Sequence, residues 1–435
     1  MSALLTFIGI VLFVAGILIS VALHELGHML PAKAFGMKVT QYFVGFGKTL
    51  WFTKRGETEY GVKAIPAGGY VRIIGMMPPA KGQDPTKVRK ANTGPIQSMV
   101  ENARTAEYET VAPEDSGRLF YQHVWWKKLI VMASGPLVNV AIAFLLFAGL
   151  FMLYGTSVAQ TTIATVTDCV VPASQASADR QCQSGDRVSP AKEAGFQVGD
   201  KILSFNGTQI SSWDQLTPLI RANTDKAATI VVERNGQQVT LRTHTIINQV
   251  QESQMSEKIV SVGFLGVSPE QKVERQNFGF AVGKMGDLTV ATVQALGKFP
   301  EKLVGVAKSI VGGERDQNSP MSVVGASRVA GEVASSDLTV GQKGAALISL
   351  LASLNLFLAL FNFIPLLPLD GGHIAGAIWE GLRRGFAKLL GRPDPGYVDV
   401  AKLLPLAYVA ASVIVVMGVL LVIADIVNPI KLFNG

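Results

Sequence analysis

The chain has 435 residues, of which 49% are hydrophobic and only 16% charged, and its mean hydropathy is +0.33. A soluble chain carries about 25% charge, so composition argues against an ordinary soluble domain and points to a bilayer. The net charge of +7 is not gathered into a polybasic tract with interleaved aromatics, which argues against a nucleic-acid partner.

In chain order, the first apolar stretch runs from Leu4 to Leu30. It has no basic leader and no small-residue cleavage site, and it is too long for a signal core, so it is expected to stay as a first membrane span. Three more stretches are long enough to cross about 30 Å of hydrocarbon: Leu129–Tyr154, Ala345–Leu369 and Leu403–Val427. The expected organisation is a first transmembrane helix over 1–35, a β-hairpin region with a flexible loop over 36–127, and a second helix over 128–155. An α+β domain over 160–270 and an amphipathic linker over 275–344 follow. A third helix over 345–372 and a fourth over 402–428 complete it.

Charge sets the orientation. The loop between the first two spans holds 15 Lys and Arg against 8 Asp and Glu, whereas residues 155–344 hold 18 of each. The loop after the third span carries Arg383, Arg384, Lys388 and Arg392. Both basic loops are therefore expected in the cytoplasm of a multi-pass plasma-membrane protein. The termini and the 160–270 domain are expected outside.

The first span ends in His24-Glu25-Leu26-Gly27-His28. On a helix, positions i and i+4 share a face, so both imidazoles reach one zinc ion, and Glu25 stands beside it to accept a proton from water. Ionisable groups at bilayer depth cost roughly 2.5–3.5 kcal/mol each and are rarely idle. A catalytic zinc takes three protein ligands and keeps one position open. Asp370 is the only acid between Asp337 and Glu380, and it follows about as much apolar chain as His24 does. At 1.5 Å per residue the two reach similar depth from the same side, which makes Asp370 the expected third ligand, toward the cytoplasmic side. His373 lies a turn further on and is expected to support the site rather than bind the metal. Pro365 and Pro368 interrupt the helix just before Asp370. Irregular backbone at that depth must face protein or water, so Pro365 and Asn362 are expected beside an extended peptide.

These residues together resemble the site-2 protease family of intramembrane zinc metalloproteases. The family's H-E-x-x-H stands at His24–His28. Its N-x-x-P-x-x-x-L-D-G stands at Asn362, Pro365, Leu369, Asp370 and Gly371, and its G-x-x-x-N at Gly135 and Asn139. The resemblance implies one zinc per chain held by His24, His28 and Asp370, Glu25 as catalytic acid and base, and Asn139 on the substrate side. Residues 189–207, with Ser189-Pro190-Ala191, Gly199-Asp200 and Asn206-Gly207, resemble a PDZ domain. The implied fold class is an α-helical polytopic membrane protein of four transmembrane helices with a cytoplasmic membrane-associated β-hairpin region and an extracytoplasmic α+β PDZ-like domain. The chain resembles the single-PDZ branch, and Pro320–Gly325 resembles a stretch of bacterial, particularly actinobacterial, members. The implied partners are the lipid bilayer, a single-span membrane substrate such as an anti-sigma factor, and a peptide in the PDZ-like groove. That groove has an alternative role as a size filter. An edge strand of the 36–75 region is implied to pair with unwound substrate. Three runs there read as strands: Lys38–Phe43, Glu59–Ile65 and Gly69–Ile74. An Asn235-Gly236 hairpin and a closing strand at Gly263–Val267 are expected in the PDZ-like domain. Cys169 and Cys182 form a disulfide if their segment is extracytoplasmic. No function is assigned to Met77–Arg118. Two rival classes remain: a catalytically idle membrane adaptor, disfavoured because Glu25 and Asp370 are both present, and a metal-ion transporter, disfavoured because the second and fourth spans offer no ligands.

Overall fold

The computed structural model describes residues 2–78, 111–170, 182–183, 185–251, 259–313, 315–316 and 318–430. Most of Met77–Arg118 and residues 171–181, between the cysteines, lie outside the described residues. The chain divides into two compact units: one formed by Met1–Leu150 with Phe278–Gly435, the other by Phe151–Asn277.

The first unit is helical, with one curled hairpin. Among the described residues four helical stretches are long and apolar enough to cross a membrane: Ala3–Ala34, Trp125–Tyr154, Val340–Asn362 and Val400–Val427. The chain is thus a multi-pass membrane protein in composition and architecture. Helix α1 (Ser2–Ala34) ends where Gly36 turns to φ +82° and the Met37 N–H closes back on the Ala32 carbonyl at 2.9 Å, a left-handed C-terminal cap that glycine adopts without steric cost.

Strands β1 (Val39–Arg55) and β2 (Thr58–Ile73) follow. The three expected runs are two long strands here, and both fold back on themselves. Residues 41–44 of β1 pair on one side with 69–72 of β2 and on the other with 59–62, which in turn pair with 51–54. Gly45 and Gly47, at φ +93° and +82°, make the reversal in β1. A Cβ on Gly45 would meet the Ile65 and Lys63 carbonyl oxygens at 2.9 Å. The result is a curled sheet in which residues 69–73 form an outer strand. Tyr42 Oη anchors it to α1 by donating to the Ala22 carbonyl at 2.7 Å.

Helix α2 (Trp125–Gly149) carries the second span, which a short π-helical turn extends to Tyr154. In the second unit, β3 (Thr156–Val166), β4 (Lys201–Phe205), β5 (Thr208–Gln209), β6 (Ala227–Arg234), β7 (Gln237–His244) and β10 (Val267–Glu274) form one sheet. Its order is β10-β3-β4-β6-β7, with β5 beside β4. Strands β8 (Ile246–Gln251) and β9 (Ile259–Phe264) pair separately. Short helix α3 (Pro190–Glu193) and helix α4 (Trp213–Ala222) close a core around Ile163, Phe196, Ile202, Leu216, Ile230 and Leu265. Asn235 and Gly236, both at positive φ, turn β6 into β7 as a two-residue hairpin requires. The stretch Gly263–Val267 is not one closing strand: Gly266 at φ +92° ends β9 and starts β10. Cys169 and Cys182 are joined, with Cα atoms 5.9 Å apart.

Back in the first unit, residues 275–344 are more than a linker. They hold helices α5 (Phe278–Gly297), α6 (Phe299–Ile310) and α7 (Val323–Ser335). Helix α8 (Val340–Asn362) starts with a capping box between Thr339 and Gln342. It stops at Asn362, so the expected single helix over 345–372 is two elements. Residues 363–369 are irregular, and α9 (Asp370–Leu389) begins at the acid itself. Pro365 lacks the N–H that would continue the helix. Helix α10 (Leu404–Val427) is the fourth span. Near its end Asp425 is 4% exposed. It pairs with Arg315 at 2.6 Å and accepts from the backbone and hydroxyl of Ser322, which cap α7.

Candidate active site

Three elements bring the site together. Helix α1 presents His24 and His28 one turn apart, 9% and 6% exposed. Their Nε2 atoms lie 3.3 Å apart, and each is 3.3 Å from Asp370 Oδ2. The third side comes from the start of α9, and its placement has a local cause. A Cβ on Gly371 would run into the Ile364 carbonyl, and one on Gly372 would lie 2.6 Å from the Leu367 nitrogen. Only glycines let the 363–369 segment fold against the first turn of α9, and that fold delivers the Asp370 carboxylate to the imidazoles.

The ion the site would take can be tested against this triangle. A tetrahedral zinc with bonds of about 2.0–2.1 Å spaces its ligands about 3.3–3.4 Å apart. The three edges match, and Asp370 Oδ2 is buried without a hydrogen-bond partner among the described residues. Two imidazole nitrogens and one carboxylate oxygen are also a donor set that suits zinc. His28 is oriented from behind, its Nδ1 lying 2.8 Å from the Val131 carbonyl oxygen on α2, as metal-binding imidazoles commonly are. On the same helix Gly135 abuts the His28 ring so closely that a Cβ there would overlap Nε2.

Glu25 lies on the same turn and reaches the hairpin. Gly69 of β2 packs against it: a Cβ there would meet Glu25 Cγ and Val21 Cγ1 at 3.0 Å. Strand β2 therefore fixes Glu25 beside the ligand triangle. A cavity of about 630 Å³ opens over these groups, lined among others by His24, Glu25, His28, Gly69, Tyr70, Asn139, Asn362 and Asp370.

Of the residues singled out from sequence, His24, His28, Asp370, Glu25, Asn139 and Asn362 share this cavity. Pro365 does not: it is exposed and off the lining, where Pro368 stands instead. His373 lines the cavity but is not one of the three clustered ligand groups. Sequence reading missed two supports. Lys128 on α2 and Glu380 on α9 form a buried pair at 2.5 Å, and Glu380 also accepts from the Val398 N–H at 3.2 Å. Asn355 on α8 donates to Ser20 Oγ on α1 at 3.0 Å, one turn before His24. Asn355 is an amide inside an apolar stretch, whereas Lys128 and Glu380 lie outside the apolar stretches, and the partners lie 335 and 252 residues away.

Residues 12–391 match the family model of Peptidase family M50. The chain is 38% identical over 442 residues to the zinc metalloprotease Rip1 of Mycobacterium tuberculosis, covering 98% of this chain and 99% of that one. It is 36% identical over 440 residues to the Rip1 of Mycolicibacterium smegmatis, with the same coverage. Motif, geometry and near full-length similarity agree: the chain belongs to peptidase family M50, the site-2 proteases, and is a membrane-embedded zinc metalloprotease.

Proposed function

We propose that His24, His28 and Asp370 hold the zinc, that Glu25 moves the protons, and that the bond cut lies in a transmembrane segment of a single-span protein. The observation that carries this reading is the 3.3 Å triangle of two imidazoles and a carboxylate with Glu25 on the adjoining helix position. Zinc, when bound there, supplies Lewis acidity that makes water a nucleophile near neutral pH and polarises a carbonyl. Glu25 accepts the proton that water loses as its oxygen bonds to the scissile carbon. It returns that proton to the amine nitrogen as the carbon–nitrogen bond breaks.

The outer strand formed by residues 69–73 fits the reading that substrate enters extended. A strand added along it gains backbone hydrogen bonds, and it lies next to Glu25. Asn362, at the end of α8, faces the same cavity. By its basic loops the site sits toward the cytoplasm, with the termini and the 160–270 domain outside. That domain is PDZ-like in its Ser-Pro-Ala helix, its Asn-Gly turns and a cleft of about 220 Å³ between α4 and residues 262–267. The cleft suits a peptide ligand. The family resemblance further suggests an anti-sigma factor as substrate.

The test is Glu25→Gln in reconstituted membranes with a single-span reporter. Zinc is expected to stay at one per chain while cleavage stops. Cleavage at the parental rate would remove Glu25 from the chemistry.

A further inference from the structure

We infer that Asn139 is a catalytic residue: its carboxamide donates to the oxyanion that develops on the scissile carbonyl. The inference rests on the proposed roles of His24, His28, Asp370 and Glu25 and extends them to the opposite charge problem. Glu25 handles protons, but the carbonyl oxygen gains charge as its carbon becomes tetrahedral. A neutral donor already aimed at that place stabilises the charge without reorganising.

Asn139 is placed for this by helix geometry. Gly135 abuts His28 Nε2, the ring nitrogen that faces Asp370. Asn139 is one turn further along the same face of α2, where side chains four apart lie roughly 5–6 Å from each other. Helical side chains lean toward the N-terminus of their helix, so the Asn139 carboxamide leans back toward Gly135 and the His28 ring. It lines the same cavity as the ligand triangle. It approaches from α2, whereas Glu25 approaches from α1 and is held by β2.

The side chain is also unspent. Asn139 is only 2% exposed, and its Oδ1 has no hydrogen-bond partner among the described residues. No hydrogen bond to a neighbour fixes that end of the carboxamide, so it is free to turn its Nδ2, the donor, toward the carbonyl oxygen. Two other neutral donors on the lining, Tyr70 and Asn362, fit less well. Tyr70 Oη donates to Gln41 Oε1 at 3.3 Å. Asn362 is more exposed than Asn139 and stands at the end of α8, on the side we assign to the extended substrate.

The test compares the full chain with Asn139→Leu, which keeps the volume and removes the donor, and Asn139→Asp, which keeps the shape and places an acid where charge develops. Three quantities are read in reconstituted membranes: kcat and KM on a single-span reporter, zinc per chain, and affinity for a phosphinic peptide that mimics the tetrahedral centre. Both variants are expected to lose about 10²–10³-fold in kcat. KM is expected to stay within about threefold, with zinc at one per chain, and phosphinate affinity should fall in parallel with kcat. A raised KM with parental kcat would make Asn139 a ground-state contact, and loss of zinc would make it a structural support; either overturns the inference, as does parental activity. Glu25→Gln run alongside separates the two readings. If it still cleaves, the underlying mechanism fails, whereas if it is silent and the Asn139 variants are unaffected, only the oxyanion assignment fails.

Discussion

Gly135→Ala is a small change with two opposed expectations. By intrinsic preference alanine is favoured over glycine inside a helix by about 0.8–1.0 kcal/mol, so α2 taken alone would be unharmed or stabilised. The structure says otherwise at the metal. A Cβ at position 135 would overlap the His28 ring, its distance to Cε1 being 2.5 Å, and that to Nε2 shorter still, where ordinary contact begins at 3.4 Å. The ring must therefore withdraw by at least about 0.9 Å, while metal–ligand distances hold within about 0.2 Å. It cannot swing freely, because its Nδ1 is tied to the Val131 carbonyl oxygen at 2.8 Å. Zinc affinity is expected to fall at least 10–100-fold, the usual loss when a ligand is misoriented. The assay is zinc retention against a graded chelator series, with helicity measured on the same samples. Helicity should match the parent while zinc is lost at lower chelator. Parental zinc retention with parental cleavage would refute the account of how α2 seats His28.

Glu380→Ala strands the Lys128 ammonium among buried groups. Breaking such a pair costs about 3–5 kcal/mol, so the apparent unfolding temperature in detergent should drop. The double variant Lys128→Met, Glu380→Leu should recover most of the loss, and no recovery would show that the pair is not the unit. In the second unit, burial raises the Asp200 carboxyl, but the bidentate Arg234 guanidinium at 2.7 Å and the Gln197 N–H outweigh it and hold the group below its ordinary value. That stabilisation is present above the unfolded pKa of about 3.9 and is lost as pH falls through the lower folded value. Asp200→Asn should therefore raise hydrogen exchange in β4 and β6 at pH 7 by an amount that shrinks toward acid; a pH-independent difference would contradict the ion-pair explanation. For Cys169 and Cys182, intact mass after alkylation without reduction should show no added label, and two labels would exclude the bond.

Much of the site was legible because its chemistry is written locally. The His24–His28 spacing is one helical turn, so the sequence places both imidazoles on one face before any fold is known. Asp370 was legible as a lone acid after an apolar run of matching length. The Asn235-Gly236 hairpin was legible because few residues tolerate its dihedral angles. What failed is what depends on distant packing. The end of α8 at Asn362 goes with the close approach of residues 363–369 to Gly371 and Gly372, which only the missing Cβ atoms allow and which hydropathy does not register. The double pairing of residues 41–44 needs the reversal at Gly45 and Gly47, and periodicity shows the runs but not who pairs with whom. Pro365 is expected in the site because it breaks the helix; it does break it, but it is exposed and not among the residues lining the cavity, where Pro368 stands. The 275–344 stretch reads only as an amphipathic linker because lysines interrupt the apolar residues of α5 and α6, and α7 is short and rich in Gly, Ala and Ser.

The central claim is that one zinc is held by the side chains of His24, His28 and Asp370. Zinc X-ray absorption on the Glu25→Gln chain tests it most directly, with Asp370→Leu as the partner sample. The expected result is one zinc per chain with two imidazole nitrogens and a carboxylate oxygen at about 2.0–2.2 Å, and loss of the metal in the Asp370 variant. Zinc bound at full stoichiometry with an unchanged spectrum after Asp370→Leu would contradict it.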